Sequence, residues 1–188
     1  MLTEILRVIV NFLIELFSGE LPALYYTWIV LLTAGYALQM TLIYPFSKQD
    51  KSYIGYLAEG AAGLAVILPA GILISEFFAS IIEDGFIQSS GTGHYFISLI
   101  ITTAFVVVDG FRHPLQKINH KDRRFLLMLA AALAANTLSF SILLPLTGPF
   151  LAVSRSFIVT LIVSMSIIMM VLYHFDQQEP SVLSEKVS

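Results

Sequence analysis

Ala34–Phe46 reads AGYALQMTLIYPF and Ala134–Leu146 reads AANTLSFSILLPL, so the chain writes one kind of apolar, proline-ended segment twice, one hundred positions apart. Aligned on Pro45 and Pro145, Ala34 meets Ala134, Leu38 meets Leu138, Gln39 meets Ser139, Thr41 meets Ser141 and Leu42 meets Ile142. Each copy closes an apolar run of about 20 residues, the length of helix that crosses a bilayer core. Working outward, five such runs appear, at about 22–45, 53–79, 95–111, 125–145 and 150–173. Short polar connections separate them: SKQDKS, EDGFIQSSGTGH, RHPLQKINHKDRR and LTGP. Three spans separate the start of one copy from the start of the other, so the second copy enters from the opposite side. The expected fold is an all-α, polytopic helical bundle with an inverted-topology repeat.

Composition supports a lipid solvent. Of 188 residues, 57% are hydrophobic and only 12% are charged, about half the charged fraction of soluble domains, roughly 25%. Mean hydropathy is +0.83. A chain with so little charge cannot cover a water-facing surface. Net charge is −3 and the basic residues gather in loops, which excludes nucleic acid as an expected partner. There is no cysteine, and with it go disulfides, thiolate metal sites and cysteine-ligated clusters.

Residues 1–17 carry Glu4, Arg7, Asn11 and Glu15 at steps of three and four, one polar stripe on an otherwise apolar helix. No small-residue cleavage site follows, so the segment reads as a retained amphipathic helix in the interface, with a sixth span as the alternative. Residues 1–174 form one expected membrane domain, and 175–188 a polar tail. Lys48 and Lys51 fall in the first connection; Arg112, Lys117, Lys121, Arg123 and Arg124 fall in the third. The second holds only Glu83 and Asp84, and the fourth only Arg155 at its edge. Retention of Lys and Arg on the cytoplasmic side puts the first and third connections and the C-terminus inside, in the cell (inner) membrane.

Polar side chains within the spans are the candidate site. Gln39, Thr41, Asn136, Thr137, Ser139 and Ser141 form an expected midplane polar face, with Pro45 and Pro145 as helix breaks. Two readings of that face stand: hydroxyls and amides that join helices, or an ion or cofactor path. Glu59 lies a turn or two inside the second span, a functional-site candidate by its depth or else a side chain within reach of headgroups or the basic third connection. Asp109 and Arg112 make an i,i+3 ion pair. Pro69 kinks the second span beside Gly71. Arg155 snorkels to the outer interface ahead of Ser156, Thr160 and Ser164. His94, His113, His120 and His174 have no ligand spacing, so no metal is assigned. No dinucleotide, phosphate-loop, zinc-protease or nucleophile-elbow motif occurs, and nothing reads as a self-contained enzyme.

From about Thr33 to His174 the order of elements resembles the small membrane subunits of the Rnf and Na+-pumping NADH:quinone oxidoreductase (Nqr) complexes, the RnfA/NqrE type. Tyr44-Pro45-Phe46 stands where that family has a cysteine-proline-phenylalanine turn, and Asn136-Thr137 where it has an asparagine-cysteine pair. The resemblance implies the inverted-repeat fold and a place as a non-catalytic subunit of an ion-coupled electron-transport complex, beside other membrane subunits. Tyr44 and Thr137 replace the family's cysteines, so no cluster or other cofactor is expected on this chain. The alternative function is a small-solute transporter or its substrate-binding membrane subunit. A third is a structural or assembly factor.

Overall fold

The computed structural model describes residues 2–43, 52–82, 86–87, 93–116, 118, 121–148 and 152–176. Tyr44, Pro45, Lys48, Lys51, Glu83, Asp84, Lys117, His120 and the tail from 177 lie outside the described residues, as do the side chains of Glu4, Arg112, Lys121, His113 and His174. Among the described residues, six helices follow in order: α1 (Leu2–Ser18), α2 (Ala23–Ile43), α3 (Tyr53–Ile81), α4 (Gly93–Gln116), α5 (Lys121–Thr147) and α6 (Arg155–Asp176). Two-residue strands β1 (Phe86–Ile87) and β2 (Ala152–Val153) pair antiparallel, tying the α3–α4 and α5–α6 connections together. Four helices, α3 to α6, are long and apolar enough to cross a membrane, or five spans result if the bent α1–α2 pair counts as one. By itself α2 is diluted by Tyr25, Tyr26, Trp28, Tyr36 and Gln39.

Local chemistry sets the ends. Gly19, at φ +79°, sits just past α1, and the Glu20 N–H donates to the Glu15 carbonyl at 3.1 Å. That six-to-one bond closes the helix with a left-handed glycine. Pro22 then blocks continuation, and α1 and α2 meet at 95°. Ser52 caps α3, its Oγ accepting from the Gly55 N–H at 3.3 Å. Ser154 caps α6 in the same way, accepting from the Phe157 N–H at 3.2 Å. This cap corrects the expected start of the last span at 150: Ala152–Val153 belongs to the ladder and α6 begins at Arg155. Pro145 lies inside α5, which continues to Thr147, so the proline does not end its helix. Pro69 likewise lies inside a continuous α3.

At the centre stands α4. Tyr95 through Thr102 are all buried, which no other helix matches over eight consecutive residues among those described. That run carries Ser98 and Thr102, hydroxyls that belong inside a bundle rather than against lipid. Helix α4 packs against α2, α3 and α5, while α6 leans on α5. Contact with α3 is close at Gly71, where a methyl carbon, were one added, would lie 3.1 Å from the Ser98 backbone Cα. Ser98 Oγ donates to the Leu68 carbonyl at 2.6 Å, a second bond for a carbonyl beside Pro69. Thr102 and Thr103 return their hydroxyls to their own helix at 2.7 and 2.8 Å. Trp28 Nε1–H reaches Thr103 Oγ1 at 3.3 Å, tying α2 to α4.

Candidate functional site: a pocket between the second, third and fourth helices

The six polar residues of the expected face are not brought together. Gln39 is half-buried and donates from Nε2 to the Val106 carbonyl of α4 at 3.2 Å, where Gly110 leaves room for its amide. Thr41 is exposed and its hydroxyl bonds the Ala37 carbonyl of its own helix at 2.7 Å. Asn136 is fully buried, but toward α6: its Nδ2 donates to the Ala132 carbonyl at 2.9 Å and to Ser166 Oγ at 3.1 Å. Its Oδ1 finds no partner among the described residues. Ser139 is buried, whereas Thr137 and Ser141 are exposed on the outer face of α5. The reason is α4, which packs against both α2 and α5, while those two share no comparable interface among the described residues. Gln39 and Asn136 therefore each join a different helix pair. Pro145 is exposed near the end of α5, and Tyr44 and Pro45 lie outside the described residues. Arg155 is exposed at the start of α6, with Ser156 beside it.

What the bundle does form is a half-open pocket of about 320 Å³ between α2, α3 and α4. Leu32 and Leu64, both buried, and Ile67 line it with hydrocarbon. Tyr36 from α2 and Phe105 from α4 supply aromatic walls, and Glu59 and Asp109 supply two carboxylates. Two glycines shape the space. A methyl at Gly60 would lie 2.8 Å from the Tyr36 ring, so Gly60 is what admits that ring. A methyl at Gly63 would meet nothing within 4 Å. Gly63 thus borders open volume.

Helix direction explains how residues fifty positions apart meet. Glu59 lies six residues into α3, and Asp109 lies seven before the end of α4, so antiparallel packing brings both to one end. At 1.5 Å per residue both sit roughly 10 Å inside their helices. Asp109 is tied to a third element, for the Tyr173 hydroxyl of α6 donates to its Oδ1 at 3.3 Å. Tyr173 stacks on Phe105 with ring centroids 6.1 Å apart, so one residue steadies both a wall and a carboxylate.

Sequence reasoning names Glu59, as a functional-site candidate or a headgroup contact, and Asp109, as half of an ion pair whose Arg112 side chain lies outside the described residues, but it does not place the two in one pocket. A signal is there: each carboxylate precedes a glycine inside an apolar run, in LAEGAAG and in VVDGF. Among the described residues no cluster of three or more His, Cys, Asp or Glu has metal-holding geometry.

Together these features define an all-helical bundle with the apolar helices of a membrane protein and a carboxylate-bearing pocket in its wall. The chain belongs to a family of unknown function, DUF5823, whose profile covers residues 1–175. No curated protein and no solved structure matches it.

Proposed function

We propose that this chain is a multi-pass protein of the cell membrane that binds a small solute in the α2–α3–α4 pocket, as a transporter or as the substrate-binding membrane subunit of one. The pocket carries the reading. Its volume of about 320 Å³ falls at the low end of small-molecule sites, roughly 300–1,000 Å³. It also has their make-up, an apolar lining with a few convergent polar groups. Carboxylates at this depth are costly unless they serve a partner or a path.

In this reading α2 to α6 span the bilayer and α1 lies in its plane. The 95° bend supports that arrangement. So does a stripe of exposed apolar residues on α1, Leu6, Val10, Ile14 and Phe17, available to dip into lipid. The basic first and third connections lie inside, so the pocket opens toward the cytoplasmic half. Single cysteines introduced into this cysteine-free chain test the orientation: Ser89→Cys is expected to label from outside in intact cells. Labelling of Ser89→Cys only after the membrane is opened would reverse the orientation.

The solute reading is tested on the purified full chain in an uncharged detergent with a panel of labelled small solutes. Saturable binding is expected, and Gly63→Leu, whose first side-chain carbon meets nothing within 4 Å, is expected to abolish it with little change in melting temperature. No binding by any solute, or binding that Gly63→Leu leaves intact, refutes the pocket.

A second reading keeps the Rnf/Nqr-like subunit, and one observation favours it. From position 38 to 42, against 138 to 142, α2 and α5 share one inward and outward register, although one turn earlier Ala37 is buried where Thr137 is exposed and Gly35 exposed where Ala135 is buried. Leu38 and Leu138, Thr41 and Ser141, and Leu42 and Ile142 are exposed in both copies, and Met40 and Phe140 are buried in both. Such matching supports an inverted repeat. Without cysteine the chain supplies no thiolate, so its part in such a complex is to scaffold or to shape an ion path. Flavin- or cluster-bearing partners co-purifying in mild detergent support this role; their absence from a native preparation counts against it.

A further inference from the structure

We infer that the solute of the α2–α3–α4 pocket is an uncharged amphiphile, a hydrocarbon or aryl body with a hydroxyl at one end, bound with that hydroxyl toward the cytoplasmic ends of the helices. The inference rests on the pocket reading and adds to it a polarity and an orientation. Depth along the helices decides both. In the orientation proposed above, Ile43, Tyr53 and Gln116 are the cytoplasmic ends of α2, α3 and α4. Leu32, Leu64 and Phe105 each lie eleven residues from those ends, about 17 Å along the helix. Half the thickness of a bilayer core is about 15 Å. Ile67 stands about one turn further in on α3. Among the described residues, three helices therefore line one end of the pocket with hydrocarbon at a common depth, near the middle of the membrane. A solute with polar groups at that end would strip them of water and offer no partner in return.

The other end is polar. Glu59 and Asp109 stand six and seven residues inside their helices, and the Tyr173 hydroxyl already donates to Asp109 Oδ1. An ionised carboxylate has about four lone-pair sites, so each of the two can accept from a ligand hydroxyl while it also serves partners within the protein. That contact asks no charge of the ligand, and a charged head would be far costlier to strip of water. From Glu59 to Ile67 the pocket follows eight residues of α3, about 12 Å, which an extended eight-carbon alcohol spans. Gly63 lies midway, and nothing lies within 4 Å of where its side chain would start, so there is width for a chain or a ring. Toward the cytoplasmic end two seams are filled. Ala37, Met40 and Tyr56 are buried together where α2 meets α3, and Gln39 occupies the space over Gly110 where α2 meets α4. The third seam, between α3 and α4, is where Glu59 stands exposed. The hydroxyl end therefore lies at the mouth and the hydrocarbon end inside.

The test is photolabelling of the full chain in phosphatidylcholine nanodiscs with two octanols, one carrying an aliphatic diazirine on its third carbon and one on its seventh. Adducts are located by mass spectrometry. Saturable labelling is expected, with the third-carbon probe marking Tyr36, Glu59 or Asp109 and the seventh-carbon probe marking Leu32, Leu64 or Phe105. Unlabelled octanol is expected to compete about tenfold better than octane, which lacks the hydrogen bond, and better than octylammonium. Gly63→Leu is expected to abolish these adducts, and the smaller Gly63→Val to reduce them, while adducts on the exposed Leu42 and Val163 persist in both. Octylammonium competing better than octanol, octane competing equally, or the two probes marking reversed ends overturns the inference, while labelling that Gly63→Leu removes keeps the pocket reading. Labelling confined to exposed residues such as Leu42 and Val163 also overturns it, and the pocket then stands only if a water-soluble solute of the panel above binds in a manner that Gly63→Leu abolishes.

Discussion

Replacing Gly71 by leucine is expected to separate α3 from α4 and leave little folded protein to purify. The first side-chain carbon at this position would lie 2.5 Å from Ser98 Oγ and 3.1 Å from both Ser98 Cβ and Cα. The hydroxyl has nowhere easy to go, because it is buried and donates to the Leu68 carbonyl at 2.6 Å. The backbone has less freedom still, since α4 is packed on its other sides by α2 and α5. Even alanine forces the shift, at roughly 1–3 kcal/mol for overpacking. Glycine-to-alanine gains up to about 1 kcal/mol of helix propensity in water. That gain shrinks in a bilayer, where a separated span is already helical. Sterics win. The check is a series measured by thermal unfolding in detergent: wild type, Gly71→Ala, Gly71→Leu, and Gly71→Ala with Ser98→Gly. The double variant is expected to recover much of the alanine loss, because Ser98→Gly removes two of the three close atoms. Wild-type stability in Gly71→Leu would show that α3 and α4 do not meet as described.

The same contact explains which parts of this molecule are legible in its sequence. Helices are legible because a span needs a long uninterrupted apolar run, and five such runs stand between polar connections. The start of α6 is harder to read because Leu151–Val153 is apolar. The cap that sets it, Ser154 bonding the Phe157 N–H, is a single hydroxyl within a larger apolar context. Helix neighbours are not legible at all. The repeated segment invites α2 and α5 to face each other across a polar centre. Instead α4 lies between them, with Ser98 and Thr102 buried in the bundle. A few hydroxyls are a weak signal, since α2 and α5 carry theirs as well. The pocket is hidden for the same reason. Glu59 and Asp109 each stand out in the sequence, but their meeting depends on α3 and α4 being antiparallel neighbours, which the Gly71–Ser98 approach enforces. Asn136 is expected to be interior and is fully buried, yet its partner is Ser166 on α6, thirty residues away, not Gln39.

Truncating Phe12 to alanine is expected to release α1 while α2 to α6 stay assembled. Phe12 is 1% exposed. Its ring lies 6.2 Å from that of Tyr25, edge-on, and 5.1 Å from that of Tyr95. Tyr25 in turn meets Phe96 edge-on at 5.6 Å, so this one side chain anchors α1 to the aromatic end of α2 and α4. The other ties are thinner. Tyr26 shares its hydroxyl between the Glu15 and Leu16 carbonyls at 3.1 and 2.9 Å, and Arg7 of α1 lies within electrostatic reach of Glu76 of α3. Phenylalanine-to-alanine costs roughly 3–5 kcal/mol in a packed core. Applied to a local docking equilibrium, about 3 kcal/mol is roughly a hundredfold in the open population. Hydrogen exchange followed by mass spectrometry reads this directly. Amides of residues 5–17 are expected to lose protection by about that factor in Phe12→Ala, with α4 and α5 unchanged and the melting temperature little altered. Phe12→Leu, which keeps most of the apolar bulk, is expected to fall between. Phe17→Ala supplies the contrast: at 84% exposed it contributes nothing to docking in detergent, and its loss is expected to weaken only partition of an undocked α1 into lipid. Protection of α1 that survives Phe12→Ala would move the anchor to the Tyr26 cap. Loss of α4 protection along with α1 would instead make the N-terminal helix a keystone of the whole bundle, with the aromatic cluster as the route by which it acts.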